Sequence, residues 1–295
     1  MGSKTAFAKS EGLGNDFIIL NNYDGRIEMS PEVVVLLCDR RFGIGADGLM
    51  LVDRSHEADF RMVFFNSDGS IAEMCGNGIR CFAKYLHEHE LMSSKTMTIE
   101  TGAGVKTVDL VFDEGRVFGA KVDMGKPEFE ASLIPIGGEL GNRNEITLEI
   151  DGAPITGTCV SMGNPHFVIF VDDLKTAPVA LQGSAIEVHT AFPQKTNVEF
   201  ARVVSSTEIQ LRVWERGVGE TLACGTGACA TAVASSVNGL TGVNTSVYLP
   251  GGRLDIEWRG GDQVFMTGPA REVFTGLIDL STFRATATTM TEIPL

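Results

Sequence analysis

The chain has 295 residues, enough for one large domain or two of ordinary size, and 43% hydrophobic with 21% charged residues describes a folded protein rather than a disordered one. A net charge of −14 predicts an acidic surface that repels a phosphate backbone, which argues against a nucleic-acid partner. Six cysteines are too few for a disulfide scaffold, and we find no secretory signal, lipidation motif or membrane span. Reduced thiols in a cytoplasm are therefore expected.

The predicted elements are mostly strands. Ser30 as N-cap, Pro31 as first helical residue and Gly43 as closing residue predict an early helix over EVVVLLCDRR. A second helix follows Cys75, and a third, without a single charge, follows Cys224 and must be enclosed on all sides. Short runs rich in β-branched and aromatic residues predict strands at 49–53, 60–66, 105–112, 116–124, 145–150, 166–172, 197–204, 209–215, 253–258 and 263–268. Two further β-like runs, TMTIET and TSVYLP, each follow a Cys-Gly segment and precede a glycine turn.

Glycine-rich segments recur at a fixed distance along the chain. GLGNDFIIL at 12–20 is echoed by SMGNPHFVIF at 161–170, and MCGNGIRC is echoed by LACGTGACA. A separation of 149 residues is shared by Asn15 and Asn164, by Cys75 and Cys224, and by Gly102 and Gly251. Three matches in order at one offset predict two halves of like architecture, each a strongly curved sheet around a helix.

The fold class is therefore α/β (α+β) with two pseudo-symmetric domains. We place the first half, with the Cys75 helix, at 1–124 and the second, with the Cys224 helix, at 125–270. A final strand at 271–280 is expected to return to the first half, and 281–295 to form a loose tail. The stretch at 137–144 is glycine-rich and poorly patterned.

Each Cys-Gly-x-Gly segment precedes a helical pattern, which places a cysteine at a helix N-terminus. The helix dipole and unpaired N–H groups there favour a thiolate and also a bound carboxylate, and glycines allow a ligand to approach the backbone closely. Two such helix starts related by pseudo-symmetry would bring two thiols to one cleft. A thiol and a thiolate on opposite faces of an amino-acid α carbon are what inversion requires.

Structural explanations compete with this chemistry. Taken singly, a cysteine is most often an inert buried residue, and we assign Cys38, Cys81, Cys159 and Cys229 to packing. The spacings C-x₅-C and C-x₄-C do not match a zinc site, so no metal is predicted. Four asparagines either bind a ligand or cap turns, namely Asn15, Asn66, Asn164 and Asn197. Glu215 and Arg216 form a surface ion pair or bind an ammonium and a carboxylate, and His166 orients a ligand or satisfies a loop.

The motifs GLGNDF, FFNSDG, MCGNGIRC, SMGNPHF, TNVEF and VWERGVGETLACGTGACA, in this order, resemble the diaminopimelate epimerase family. The resemblance extends from about Phe7 to about Asp279. It implies two pseudo-symmetric domains, each a β-barrel-like sheet around a central helix, and a homodimer. It also implies a cofactor-independent epimerase that interconverts LL- and meso-2,6-diaminopimelate in lysine and peptidoglycan precursor biosynthesis.

The resemblance also implies roles for single residues. Cys75 and Cys224 would be the acid/base thiols, and His166 would lie near the reacting centre. The reacting α-carboxylate would be bound by the backbone N–H groups of Gly76, Asn77, Gly225 and Thr226. The substrate, chiefly its distal centre, would be bound by Asn15, Asn66, Asn164, Asn197, Glu215 and Arg216. The chain departs from the family at Gly48, where many members carry glutamine.

Three other functions remain to be separated from this one. Proline racemases are similar in fold and also use paired cysteines, but Asn77 in C-G-N-G, where they have histidine, and the Glu215-Arg216 pair favour diaminopimelate. A thiol redox sensor would use a disulfide between Cys75 and Cys224, although the chain lacks C-x-x-C. A ligand-binding module would bind diaminopimelate without labelling its α carbon.

Overall fold

The computed structural model describes residues 4–137 and 144–283 and divides into two compact units. The first unit holds the described residues up to Val122 and from Pro269 onward, and the second holds Asp123–Gly268. Within the described ranges, no helix combines the length and the apolar character needed to cross a membrane. Most of the poorly patterned stretch at 137–144, and the tail from 284 onward, lie outside the described residues.

The structure has four helices and eighteen strands in its described part. The helices are α1 (Pro31–Cys38), α2 (Gly76–Glu88), α3 (Val179–Glu187) and α4 (Gly225–Val237). The strands before α3 are β1 (Thr5–Gly12), β2 (Asn15–Asn21), β3 (Gly48–Asp53), β4 (Phe60–Asn66), β5 (Ile71–Ala72), β6 (Thr96–Thr101), β7 (Gly104–Asp113), β8 (Arg116–Asp123), β9 (Glu145–Ile150), β10 (Ala153–Ser161) and β11 (Pro165–Phe170). The later strands are β12 (Asn197–Ser205), β13 (Glu208–Glu215), β14 (Gly219–Thr221), β15 (Asn244–Leu249), β16 (Gly252–Glu257), β17 (Phe265–Pro269) and β18 (Arg271–Ile278).

The strands of the first unit follow the order β18-β1-β2-β3-β4-β6-β7-β8, with the short β5 also paired to β4. Two neighbouring pairs are parallel, β2 with β3 and β4 with β6, and the others are antiparallel. Each parallel pair needs a crossover connection, and these are the segments that contain α1 and α2.

The second unit repeats this plan strand for strand. Its order is β9-β10-β11-β12-β13-β15-β16-β17, with β14 also on β13. The parallel pairs are again the third and fifth, β11 with β12 and β13 with β15, and their crossovers contain α3 and α4. The predicted α/β class with few helices is therefore confirmed.

Two central helices, α2 and α4, are nearly enclosed by the strands of their own units. Helix α2 packs on β1, β2, β3, β7 and β18, and α4 packs on β10, β11, β12, β13, β15 and β16. Each helix contacts strands from both ends of the strand order of its sheet, so each sheet curves around its helix. The charge-free sequence of α4 is explained by this burial, since ten of its residues are buried.

Helices α1 and α3 cover the other side of each sheet. Val33, Val34 and Leu37 of α1 join one apolar cluster, and Val179 and Ile186 of α3 join another. Helix α3 and the strands β1, β2, β5, β10 and β14 were not predicted from the sequence. Helix α1 is shorter than predicted, because it ends at Cys38, where the side chain of Asp39 accepts the N–H groups of the next turn.

An ionic cluster joins β1, β2 and the chain after α1 in the first unit. Asp16 accepts two hydrogen bonds from Arg40, at 2.7 and 2.9 Å, and lies 2.8 Å from the ammonium of Lys9. Arg40 also contacts Asp47 at 2.7 Å, and the backbone N–H of Asp47 donates to Asp16. The cluster thereby fixes the segment around Asp47, which leads into β3.

The cluster makes the stability of the protein depend on pH. Burial alone would raise the pKa of Asp16, but the hydrogen bonds and charges of Arg40 and Lys9 outweigh burial and hold this pKa well below its usual value. Since the folded pKa is the lower one, the stabilisation is complete above the unfolded pKa of about 4 and is lost as the pH falls toward the folded pKa.

We therefore predict that Asp16→Asn lowers the free energy of unfolding at pH 7 by about 1–3 kcal/mol, the range for hydrogen bonds to charged groups. The gap between variant and wild type should narrow as the pH falls below about 4, because Asp16 of the unfolded wild-type chain then takes up a proton while the folded state keeps its carboxylate ionised. Urea denaturation from pH 3 to 7 measures both effects. Asp24→Asn, which removes an exposed partner of Arg26, is the control and should change little. A gap independent of pH would contradict the prediction.

Candidate active site

Cys75 and Cys224 are the N-cap residues of α2 and α4, and their backbones nearly coincide in conformation. Cys75 has φ −135° and ψ 116°, and Cys224 has φ −124° and ψ 114°. Each sulfur accepts the N–H of the third helical residue at 3.4 Å, from Gly78 in one helix and Gly227 in the other. Each thiol therefore lies against the positive end of a helix dipole.

The first turn of α4 leaves two backbone N–H groups at its open end. In α4 the N–H groups of Gly227 and Ala228 are taken by the sulfur and carbonyl of Cys224, so those of Gly225 and Thr226 lie at the open helix start. A side chain could not replace Gly227, whose ideal Cβ would lie 2.9 Å from a carboxylate oxygen of Glu199 and 3.3 Å from the Cys224 sulfur. A carboxylate fits such a helix start without further cations.

Amide side chains surround Cys75 in the first unit. The Cys75 thiol donates to Asn15 Oδ1 at 3.6 Å, and the amide of Asn77 donates to the same oxygen at 3.4 Å. The Asn15 amide nitrogen donates to Asp47 Oδ2 at 2.9 Å, which turns its oxygen toward the sulfur. The fully buried Arg80 donates to Asn77 Oδ1 at 3.0 Å and to the Gly76 carbonyl at 2.8 Å.

Asn66 and Gly48 lie opposite each other on β4 and β3. The amide of Asn66 donates to Ser70 Oγ at 2.9 Å, so this side chain is bound within its own turn rather than to a residue beside Cys75. At Gly48, an added Cβ would lie 2.5 Å from the ring of Phe64 and 2.7 Å from the carbonyl of Phe65. The backbone therefore accepts glycine at position 48 and leaves no room for a glutamine side chain.

A chain of hydrogen bonds leads to Cys224 in the second unit. The sulfur lies 3.5 Å from Thr226 Oγ1, which accepts from the amide nitrogen of Asn164 at 3.4 Å. The Asn164 oxygen lies 2.9 Å from His166 Nε2, and His166 Nδ1 lies 2.7 Å from Glu199 Oε1. His166 and Glu199 are both completely buried.

Two buried carboxyl groups, those of Glu215 and Glu199, lie beside Cys224. Glu215 accepts hydrogen bonds from Thr221 and from the Cys224 thiol. Burial, followed by the charges of Glu215 and Glu199, raises the pKa of Cys224 well above its ordinary value. Burial likewise raises the pKa of Glu215 and of Glu199, against the opposing charge of His166.

The side chain of Asn197 accepts a hydrogen bond from the backbone of Arg216. Asn197 Oδ1 accepts the N–H of Arg216 at 2.9 Å, and its amide nitrogen donates to the carbonyl of Pro165 at 2.8 Å. The exposed Arg216 side chain donates to the carbonyl of Gln194 at 3.1 Å. Among the described residues it forms no ion pair with Glu215, so the two side chains serve different contacts.

Three charged residues beside the cysteines were not recognised from the sequence, namely Asp47, Arg80 and Glu199. Glu199 lies on β12 between Val198 and Phe200, which are both fully buried. Arg80 lies among the apolar residues of α2. A charge inside an apolar strand or helix face was the available signal, since such residues are rarely buried without a partner.

The remaining cysteines are buried thiols. Burial raises the pKa of Cys38 and of Cys81 to about 12, and also raises the pKa of Cys159. Cys229 is likewise buried, in α4. No group of three or more His, Cys, Asp or Glu residues within 4–137 and 144–283 is arranged to hold a metal ion.

Two solved structures share the fold at low sequence identity. A hydroxyproline epimerase from Agrobacterium vitis, with bound trans-4-hydroxy-L-proline, superposes with a TM-score of 0.68 and 13% identity, over 94% of this chain and 94% of that one. A phenazine biosynthesis protein of the PhzF family from Bacillus anthracis gives 0.64 and 17%, over 94% and 99%. These similarities concern the fold alone.

Sequence comparisons identify the family. The family model for diaminopimelate epimerase matches residues 7–130 and 158–273. The diaminopimelate epimerase of Pelotomaculum thermopropionicum is 52% identical over 272 residues, covering 92% of this chain and 97% of its own. That of Moorella thermoacetica is 49% identical over 272 residues, covering 92% and 98%. The chain belongs to the diaminopimelate epimerase family.

Proposed function

We propose that this protein is a cofactor-independent epimerase that interconverts LL- and meso-2,6-diaminopimelate. The observation that supports this most directly is the repeated helix start, in which each unit supplies a cysteine as N-cap of a glycine-started helix. Family membership supports the choice of substrate.

The reaction is a proton exchange at one α carbon. One cysteine, as thiolate, takes the α proton, so that the C–H bond breaks, an S–H bond forms and the electron pair spreads into the α-carboxylate. The other cysteine, as thiol, delivers its proton to the opposite face and becomes the thiolate, so the two exchange roles in each turnover. Burial, followed by the charges of Glu215 and Glu199, raises the pKa of Cys224, which favours Cys224 as the thiol that donates its proton.

The carboxylate gains negative charge as the α proton leaves, and helix N-termini are suited to bear it. Backbone N–H groups stay in place during the reaction, so they stabilise the charge without reorganising. In this proposal the α-carboxylate is bound by Gly76, Asn77, Gly225 and Thr226.

The other end of the substrate has a second ammonium and a second carboxylate. We assign its binding chiefly to Asn15, Asn66, Asn164, Asn197, Glu215 and Arg216. Arg216 offers a planar fork of donors that matches a carboxylate. His166 supports the reacting centre through Asn164. Recognition of this far end would limit inversion to one of the two α carbons.

The setting of the reaction belongs to the same proposal. A mechanism that needs both thiols reduced suits the cytoplasm, and all six cysteines are present as thiols. The reaction would serve lysine and peptidoglycan precursor biosynthesis, with the protein acting as a homodimer.

The first prediction tests the reaction itself. Reduced protein incubated with LL-diaminopimelate in D₂O should incorporate deuterium at the α carbon and form the meso isomer, because the proton returned to carbon comes from a thiol that exchanges with solvent. Mass spectrometry and chiral chromatography follow the two products. Binding without label would favour a ligand-binding module and sink the epimerase proposal.

The second prediction tests the two thiols. Cys75→Ala and Cys224→Ala should each lower the rate of meso formation by at least about 10²–10⁴-fold, the usual contribution of a positioned acid or base. Cys81→Ala and Cys229→Ala, in the same two helices, are matched controls and should stay within a few-fold of wild type. Circular dichroism checks the fold. Near-normal turnover by either N-cap variant would refute the two-base assignment.

The third prediction concerns the far end of the substrate. Arg216→Ala should raise KM by about 10- to 100-fold with little change in kcat, because a charged hydrogen bond made equally in ground and transition states affects binding alone. Arg202→Ala, an exposed arginine on β12 that contacts Gln210, should change neither constant. An unchanged kcat/KM in Arg216→Ala would remove this residue from the site.

A further inference from the structure

The second unit contains a carboxylate that the fold itself does not require. Glu199 is completely buried on β12, between Val198 and Phe200, which are buried as fully. Its Oε1 contacts His166, while its Oε2 has no hydrogen-bond partner among the described residues. A buried carboxylate with an unsatisfied oxygen costs stability, and an apolar residue of similar volume would suit the core better. The cost indicates a role outside folding.

Glu199 lies at one end of the hydrogen-bond chain that leads to Cys224. From its Oε1 the chain runs through His166 at 2.7 Å, Asn164 at 2.9 Å and Thr226 at 3.4 Å. The same oxygen also borders the first turn of α4, where it would lie 2.9 Å from a Cβ on Gly227. Glu199 thus lies close to Cys224 in two ways, at the end of this hydrogen-bond chain and beside the first turn of α4.

The chain has a direction that Glu199 determines. The oxygen of Asn164 faces His166 Nε2 and only accepts hydrogen bonds, so Nε2 must carry a proton. Glu199 and His166 Nδ1 then share one further proton, whether as carboxylate with imidazolium or as carboxylic acid with imidazole. Both forms keep Nε2 as a donor. If residue 199 had no ionisable proton, His166 could present an unprotonated Nε2 to Asn164. The amide group of Asn164 would then rotate so that its NH₂ group faces Nε2.

The direction decides what the site presents to a ligand. With its oxygen held by His166, Asn164 turns its NH₂ group toward Thr226 and the start of α4. A donor there attracts a carboxylate, whereas a flipped amide would present an oxygen and repel it. We propose that Glu199 is a positioning residue, which acts through His166 to keep the NH₂ group of Asn164 facing the substrate. The part that concerns substrate rests on the proposed function.

The first test needs no substrate and no variant. The protein has five histidines, so imidazole ¹⁵N NMR of histidine-labelled protein can resolve them. The Nε2 of wild-type His166, which faces the Asn164 oxygen, should carry the proton in this spectrum at neutral pH. A wild-type spectrum in which His166 Nε2 lacks its proton would overturn the proposal directly, even if every variant failed to fold.

The second test compares two carboxylate–histidine pairs of equal length. Glu199→Gln should move the Nε2 signal of His166 toward the unprotonated position, since glutamine satisfies either tautomer. The control is Glu272→Gln, because Glu272 contacts His89 at the same 2.7 Å but on β18, near the surface of the first unit. It should change the signals of His89 and leave those of His166 unaltered. Identical His166 signals in wild type and Glu199→Gln would refute the role of Glu199.

The third test separates positioning from general damage to the fold. Glu199→Gln should raise KM for LL-diaminopimelate about tenfold with kcat within about threefold, as expected for lost ground-state binding. Asn164→Ala should do the same, and the double variant should be no worse than the weaker-binding single variant, because both changes remove one contact. Additive effects, or a loss confined to kcat, would overturn the proposal. Wild-type protein that neither labels nor epimerises the substrate would refute the proposed function instead, while the NMR tests would still decide the role of Glu199.

Discussion

The site depends on one capping interaction, the hydrogen bond from a helical N–H to a cysteine sulfur. Sulfur is a weak acceptor, and N-cap positions usually hold oxygen-bearing side chains. A cysteine N-cap therefore leaves its helix start under-satisfied and its sulfur close to the positive end of the dipole. Under the proposed function, the α-carboxylate of the substrate binds the N–H groups at these helix starts, and the helix dipole makes the thiol more reactive.

The surroundings of Cys75 and Cys224 share a backbone scaffold and differ in their side chains. Each cysteine follows a short strand, β5 before Cys75 and β14 before Cys224. Cys75 lies among amide side chains, whereas Cys224 lies beside Glu215 and Glu199. Burial, together with these two carboxyl groups, raises the pKa of Cys224. Duplicated strands thus give the two sulfurs like positions at their helix starts, while the side chains around them differ.

The sequence was most informative where one short pattern determined local structure. The Cys-Gly-x-Gly segments placed both helix starts, and β-branched runs placed most strands, because these signals are local. Helix α3 was missed because its sequence, VALQGSAIE, has no strong cap or apolar period. Glu199, Asp47 and Arg80 were missed for a different reason. Their partners are far away in sequence, so only the folded chain shows that Glu199 meets His166 or that Asp47 orients Asn15. The domain limits and the roles of the site residues remain predictions.

The last strand has a consequence for biosynthesis. In the first unit the edge strand beside β1 is β18, the last strand among the described residues, whereas in the second unit the equivalent strand, β9, comes first. On the ribosome, the second unit emerges as one continuous segment and has all its strands before the first unit does. The first unit must wait with the edge of β1 unpaired until β18 is made. During synthesis, the first unit therefore completes its set of strands after the second unit does.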